Sequence, residues 1–299
     1  MTPRERGFLL LTSHLGNPER RALTPAQLRT LARRVQTMDK PAEDRDLSER
    51  DLLKLGYSRE LAERIFTLLS REEELDYYLA RGKKLGCVPV TRISDAYPPL
   101  LRYRLGLDAP GCLWTKGNLS LLSTPAIALV GSRDLQEPNR KFAEAVGLHA
   151  AKQGLTLISG NARGADQAAQ NACLKAGGRV ISIVADRLAR HPLQEGVLYV
   201  SEDDYDEAFS AHRAISRNRC IHAMGQVVFV AQASLEKGGT WDGTVKNLKH
   251  GWSNVAGFRD GSEAAAALEQ MGAFLISEQE LNEYQINPSL MENFLNGPV

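Results

Sequence analysis

Four short segments of the chain contain cations, in three of them beside glycine and other small residues, a combination typical of phosphate binding. They are Gly131-Ser132-Arg133, the stretch from Ser159 to Asp166, Arg217-Asn218-Arg219 and Lys237-Gly238-Gly239-Thr240. Glycine lets a backbone turn tightly so that its amides face a ligand, and guanidinium groups bind phosphate bidentately. The candidate phosphate-binding residues are Gly131, Ser132, Arg133, Ser159, Gly160, Arg163, Gly164, Asp166, Arg217, Asn218, Arg219, Lys237, Gly238, Gly239 and Thr240. Asp166 also falls in the first turn of a predicted helix, where the dipole favours an acid, so a purely structural role stays open for it.

The second half of the chain contains elements that could bring these segments together. Short apolar runs alternate there with helical stretches. Strands are predicted at 126–130, 155–159, 180–185, 227–231, 253–257 and 273–276, and helices at 139–153, 164–176, 204–224, 240–249 and 262–271. This alternation predicts an α/β fold with a Rossmann-like, doubly wound, mostly parallel sheet. Ligands of such sheets bind beyond the carboxyl ends of the strands, where several candidate segments are expected.

The rest of the chain predicts two further regions. Residues 1–85 read as a small all-helical domain, in which Leu52–Ile65 forms two short helices about Gly56 and resembles a helix-hairpin-helix or SAM-like unit. Ser58 stands where a DNA-binding hairpin has its second glycine, so a packing or protein-contact role is the alternative. Residues 86–125 contain five prolines and predict a connection that leads into the sheet domain at 126–299.

Several classes of protein are excluded or disfavoured. The residues after the first predicted strand are GSRDLQ, without the GxGxxG of a dinucleotide site, so an NAD or FAD enzyme is disfavoured. The six histidines and four scattered cysteines form no ligand spacing, so we expect no metal and no cofactor. No apolar run approaches the length of a membrane span and the N-terminus lacks signal-peptide features, so a cytoplasmic protein with free thiols is expected.

The charge distribution limits how a polyanion could bind. The first 125 residues carry 21 Lys and Arg against 16 Asp and Glu, while the last 80 carry 4 against 9. A global basic field is therefore absent, and a polyanion must be held by a local arginine cluster. Several phosphate-sized positions along one sheet edge predict a polynucleotide track more than a mononucleotide pocket. Trp241 and Tyr205 are candidates to stack on bases, and Phe142 is a weaker one because core packing also suits it.

The order and spacing of these motifs resemble the DNA-processing protein A (DprA/Smf) family over roughly residues 85–276. The motifs are Tyr97-Pro98, Trp114-x-Lys116-Gly117, Val130-Gly-Ser-Arg133, Ser159-Gly-x-Ala-Arg-Gly-x-Asp166, Gly177-Gly178, Arg217-Asn218-Arg219 and Lys237-Gly-Gly-Thr240. The resemblance implies a homodimer that binds single-stranded DNA and loads the recombinase RecA during DNA uptake and recombination. It also implies a protein that is not an enzyme.

The sequence differs from the family pattern at several positions. Gln170 replaces a histidine, Gln232 replaces an acidic residue, and Ala185-Asp186-Arg187 stands where the family has a glycine-rich turn. We therefore expect a divergent branch without the C-terminal winged-helix domain of longer members. DNA binding is therefore a firmer expectation than a role in transformation.

Two other functions are compatible with the sequence. A LOG-type phosphoribohydrolase or nucleotide sensor would also use a glycine-rich loop and arginines, with Asp242 the acidic residue after the loop threonine. An adaptor whose charges are solvated would bind protein and not nucleic acid. The resemblance favours the single-stranded DNA-binding protein over both.

Overall fold

A nine-stranded sheet organises the part of the chain that the computed structural model describes, residues 1–17, 19–39 and 47–286. Its strands are β1 Val88–Thr91, β2 Cys112–Gly117, β3 Ala126–Val130, β4 Thr156–Ser159, β5 Arg179–Ile183, β6 Val197–Ser201, β7 Val227–Val230, β8 Asn254–Phe258 and β9 Phe274–Ile276. They lie in the order β1-β2-β6-β5-β4-β3-β7-β8-β9. All neighbours from β6 to β9 are parallel, while β1 and β2 are antiparallel additions. The predicted α/β class with a mostly parallel sheet is confirmed.

Helices cover the sheet and precede it. They are α1 Pro3–Thr12, α2 Pro25–Gln36, α3 Glu49–Lys54, α4 Arg59–Leu69, α5 Glu72–Lys84, α6 Pro99–Leu105, α7 Glu137–Lys152, α8 Ala165–Lys175, α9 Ala211–Ser216, α10 Asn218–Met224, α11 Gly238–His250, α12 Glu263–Gln270 and α13 Glu278–Glu283. The first five agree with the predicted helical N-terminal region. None of the described helices is long and apolar enough to cross a membrane.

Residues 86–125 contribute more than a connection. They form β1, α6 and β2, so the sheet begins well before residue 126. Pro89 lies inside β1, which is tolerated because β1 is an edge strand and a proline there need not donate to a second neighbour. The prolines of this stretch exclude a long helix, as predicted, but they do not exclude short strands.

The hydrophobic core occupies both faces of the sheet and reaches into the N-terminal helices. Leu9 of α1 and Tyr78 of α5 pack in the same cluster as Trp114 of β2 and Tyr205. The rings of Tyr78 and Tyr205 are stacked, with centroids 4.4 Å apart. Helices α2 to α4 form a separate apolar cluster that includes Leu11 of α1. Helices α1 and α5 therefore join the helical region to the sheet.

The sheet reverses its winding direction between β3 and β7. From β3 the chain proceeds outward through β4, β5 and β6, and it then returns to the other side of β3 as β7, β8 and β9. The switch point lies at the carboxyl ends of β3 and β7, where the residues that follow the two strands line a crevice. In open α/β sheets this is the position at which ligands bind.

Candidate nucleic-acid interface

The loop after β3 fits tightly between the loops that follow β4 and β7. The Ser132 amide donates to the Gln232 carbonyl at 2.9 Å, and the Ser132 carbonyl accepts from the Ala165 amide at 3.1 Å. A Cβ on Gly131 would lie 2.5 Å from that of Ala165, so only glycine fits there. The sequence predicted that the amides of this loop face a ligand. The Ser132 amide instead bonds within the protein, and the loop's clearest contribution to the surface is the exposed Arg133 side chain.

The loop after β4 is held by its own buried polar groups. The Ala162 amide donates to the Asp166 carboxylate at 3.1 Å, and burial raises the pKa of Asp166. Ser159 is fully buried and its hydroxyl accepts from the Gln170 amide at 2.5 Å. Gly164 has φ of +89°, and a Cβ there would lie 2.4 Å from the Arg133 carbonyl oxygen. In this conformation Ser159 and Gly164 shape the loop, and Ser159 presents no surface to a ligand.

Arg217 is a buried cation whose charge is only weakly balanced by the other described residues. Only 6% of it is exposed, and its Nη1 donates to the Ile183 carbonyl at 2.5 Å while Nε has no partner. No carboxylate of the described residues lies within ion-pair distance of it, and Asp166 acts on its charge only from beyond 4 Å. Burial lowers the pKa of the guanidinium, yet arginine stays protonated at neutral pH. A buried charge without a direct ion pair is costly, so this position favours an anion from outside.

Two exposed arginines complete a cluster with Arg217. Arg133 forms no ion pair among the described residues, and Arg163 has one long contact, from Nη2 to Asp134 Oδ1 at 3.4 Å on the surface. All three arginines line one cavity of about 460 Å³, here called the side cavity, together with Gly160, Asp186, Phe209 and other residues of the same loops. The structure thus brings together three of the arginines that the sequence singled out.

A second cavity lies in the crevice between β3 and β7. This switch cavity, of about 400 Å³, is lined by Gly131, Ser132, Arg133, Asp166, Arg217, Asn218, Lys237, Gly238, Gly239 and Thr240 among others. Asn218 donates to the Gly239 carbonyl at 3.1 Å, which fixes the loop before α11. Lys237 is exposed, precedes the first turn of α11 and forms no ion pair in the described part of the chain. The switch cavity therefore offers cations on two sides.

A third cavity extends the cluster over the outer face of α7 and α8. This helix cavity, of about 680 Å³, shares Arg133 and Arg163 with the side cavity and adds Arg140 and Lys175, opposed by Asp134 and Glu144. Because Arg133 lines all three cavities, they meet at one residue. Sequence reasoning missed Arg140 and Lys175. The only sequence signal for their place in the site is that they lie on helices that start at the same sheet edge.

Arg219 and Arg213 do not join the cluster. Arg219 was predicted to act beside Arg217, but its Nη2 pairs with Glu202 at 2.5 Å and it lines none of the three cavities. Residues two apart on a helix point about 200° apart, so Arg217 and Arg219 cannot face the same ligand. Arg213 pairs with Asp203 at 2.6 Å. The predicted single helix 204–224 is also interrupted, because α9 ends at Ser216 and α10 begins at Asn218.

The aromatic residues suggested as stacking surfaces are wrong for that role. Trp241, Phe142 and Tyr205 are all buried in the core. Among the residues that line the three cavities, the aromatic one is Phe209, which is 57% exposed and lines the side cavity. It was missed because the predicted helix 204–224 would have enclosed it, whereas residues 207–210 are irregular and α9 begins at Ala211. Asp242, assigned to the phosphoribohydrolase alternative, is exposed on α11 and lines none of the three cavities.

Comparison with known proteins is consistent with this arrangement. The family model of DNA recombination-mediator protein A matches residues 89–278. DNA processing protein DprA of Streptococcus pneumoniae is 35% identical over 141 residues, 44% of this chain and 50% of the relative. Protein Smf of Escherichia coli is 32% identical over 156 residues, 48% of this chain and 41% of the relative. The matched region thus spans half or less of these curated relatives.

Solved structures extend the match beyond the sheet. The X-ray structure of DprA from S. pneumoniae superposes with a TM-score of 0.72 at 25% identity, covering 96% of this chain and all of that one. DNA processing protein A of Helicobacter pylori, whose structure was described for its single-stranded DNA binding mode, has a TM-score of 0.55 at 21% identity and covers 70% of this chain and 95% of that one. At that identity the second match shows a shared fold.

Proposed function

Since the chain belongs to the DNA recombination-mediator protein A family, we propose that it binds single-stranded DNA through the three cavities that meet at Arg133. The observation that carries the proposal is the buried guanidinium of Arg217, which forms no direct ion pair among the described residues and lines both the switch and the side cavity. A phosphate is the anion that suits this position, because guanidinium groups bind phosphate oxygens bidentately.

The arrangement favours a polymer over a mononucleotide. Three cavities, each with at least two basic side chains, are contiguous through Arg133. A single nucleotide would occupy one of them and leave the cations of the other cavities without a phosphate. A flexible strand can run past all three, and single-stranded nucleic acid follows such basic grooves.

The further roles of the protein follow from its relatives. Relatives of this chain are named for DNA processing, and the H. pylori structure was described for its single-stranded DNA binding mode. The family is named for mediating recombination, which supports a role in presenting the bound strand to the recombinase RecA. We include a homodimer and a cytoplasmic location in the proposal. The four cysteines are free and buried, which suits a reducing compartment.

Salt-dependent binding tests the proposal. A fluorescein-labelled 20-nucleotide strand is titrated with protein at several salt concentrations, and anisotropy gives the dissociation constant. Wild-type protein should bind with a negative slope of log affinity against log salt. Arg133→Ala should reduce that slope by about 0.7, the value per phosphate contact on single strands. Arg29→Ala, on the exposed face of α2, is the matched control and should change neither affinity nor slope. Absence of binding at low salt, or a slope near zero, would reject the proposal.

A further inference from the structure

The side cavity contains two residues that do not suit a phosphate. Asp186 and Phe209 line it together with Arg133, Arg163 and Arg217. A carboxylate repels a phosphate group, and an exposed phenyl ring offers it no hydrogen bond. Both side chains suit another part of a nucleotide, the base.

Phe209 has the exposure that a stacking surface needs. It is 57% exposed, and no ring of the described residues packs on it. An exposed phenyl ring on an irregular segment between a strand and a helix is not required for the core. All bases stack on such rings, because every base has a π face.

Asp186 adds a selective contact. Its Oδ1 lies 2.8 Å from Nε2 of His191, and about half of the side chain remains exposed. This hydrogen bond orients the carboxylate and also lowers the pKa of Asp186, which keeps the carboxylate charged at neutral pH. An ionised carboxylate only accepts hydrogen bonds. It therefore bonds to an exocyclic amino group, which cytosine, adenine and guanine have and thymine lacks.

Thymine is a poor partner for this carboxylate for a second reason. Its single N3–H donor lies between two carbonyl oxygens, which a carboxylate repels. From these contacts we infer that the side cavity is a base pocket in which Phe209 stacks on an unpaired base and Asp186 selects amino-bearing bases over thymine. The inference rests on the proposed function, since it requires that a strand enters the side cavity.

Base preference tests the inference directly. Affinities for dC20 and dT20, both pyrimidine strands of equal charge, are measured by anisotropy at one salt concentration. Wild-type protein should bind dC20 about tenfold more tightly than dT20. Asp186→Ala should remove the preference by weakening dC20 binding and leaving dT20 binding equal or tighter. Asp242→Asn, an exposed acid outside the three cavities, should keep the preference.

Phe209 variants supply an independent measurement. Phe209→Leu removes the π face and should weaken dC20 and dT20 binding alike, about tenfold, without changing the salt slope, whereas Phe209→Tyr should retain affinity. Equal wild-type affinity for the two strands, or a preference that survives Asp186→Ala, would overturn the base pocket while leaving strand binding intact. Failure to bind either strand would overturn the proposed function and the base pocket together.

Discussion

Replacing Arg217 by methionine should make the protein more stable and less able to bind DNA. Only 6% of Arg217 is exposed, and its one hydrogen bond among the described residues runs from Nη1 to the Ile183 carbonyl. Taking a cation out of water costs several kcal/mol. One hydrogen bond from a charged group offsets about 1.5–3 kcal/mol of this cost. Methionine has a similar length and no charge, and the lost attraction to the buried Asp166 offsets part of the gain, so we expect Arg217→Met to raise the free energy of unfolding by about 1 kcal/mol.

Arg71 is a matched control for this variant. It is equally buried, but its Nε and Nη2 donate to three carbonyls, those of Leu68, Leu10 and Ser13, and it lies outside the three cavities. Arg71→Met would leave three carbonyls without donors, so it should lower the free energy of unfolding by about 3 kcal/mol and leave DNA affinity unchanged.

Equilibrium urea unfolding, followed by tryptophan fluorescence, measures both free energies, and anisotropy measures strand binding. Arg217→Met should weaken binding at least tenfold. Inorganic phosphate should stabilise the wild type against urea by mass action and should stabilise Arg217→Met less. A loss of stability in Arg217→Met similar to that in Arg71→Met would refute the reasoning, because Arg217 would then be a structural residue and not a cation held for an external anion.

Three further predictions concern single side chains. Lys237→Ala at the start of α11 should weaken strand binding and reduce the salt slope by about 0.7 in the same anisotropy titration. Lys249→Ala, near the end of the same helix, should change neither the affinity nor the slope. Arg140→Ala should weaken binding of 20-nucleotide strands more than of strands too short to reach the helix cavity, and Lys152→Ala, at the other end of α7, should leave both unchanged. Burial lowers the pKa of His222 to about 3, so the folded state excludes a proton that the unfolded state binds below pH 6.5. The contribution of His222 to the free energy of unfolding should therefore be complete above pH 6.5 and fall by about 1.4 kcal/mol per pH unit toward pH 3. Urea unfolding measures the free energy of unfolding at pH 7 and pH 5, and the difference between the two values should be smaller in His222→Gln than in the wild type.

Hydrophobic periodicity predicted the strands that alternate with helices and missed the strands that do not. Val197–Ser201 is a buried apolar run of the same kind as β3, yet it was missed. The connection from β5 to β6 contains only a short 3₁₀ turn at Leu188–Arg190, so no helix marks the start of a new strand. In the same way β1 and β2 lie among prolines, and only their pairing at the sheet edge shows that they are strands.

The cation cluster could be predicted in part because parallel strands bring their carboxyl ends together. Arg133 and Arg163 follow β3 and β4, so their proximity follows from the topology. To predict the direction of a helical side chain, one must also know where the helix begins and ends. The predicted helix began at residue 204, whereas α9 begins only at Ala211 and Arg213 pairs with Asp203. The capping Ser210 is the sequence signal for this later start.

The glycines of the site have a role that their phosphate-loop appearance concealed. A Cβ on Gly160 would lie 1.8 Å from Nη1 of Arg217, so the absence of a side chain creates the space in which the guanidinium lies. Gly131 and Gly164 similarly allow the loops after β3, β4 and β7 to approach one another. The backbone amide of Ser132 is used in that packing. Affinity for an anion must then come chiefly from side-chain cations that the glycines position. The glycine motif and Arg217, which lies far along the chain, therefore act together as one site.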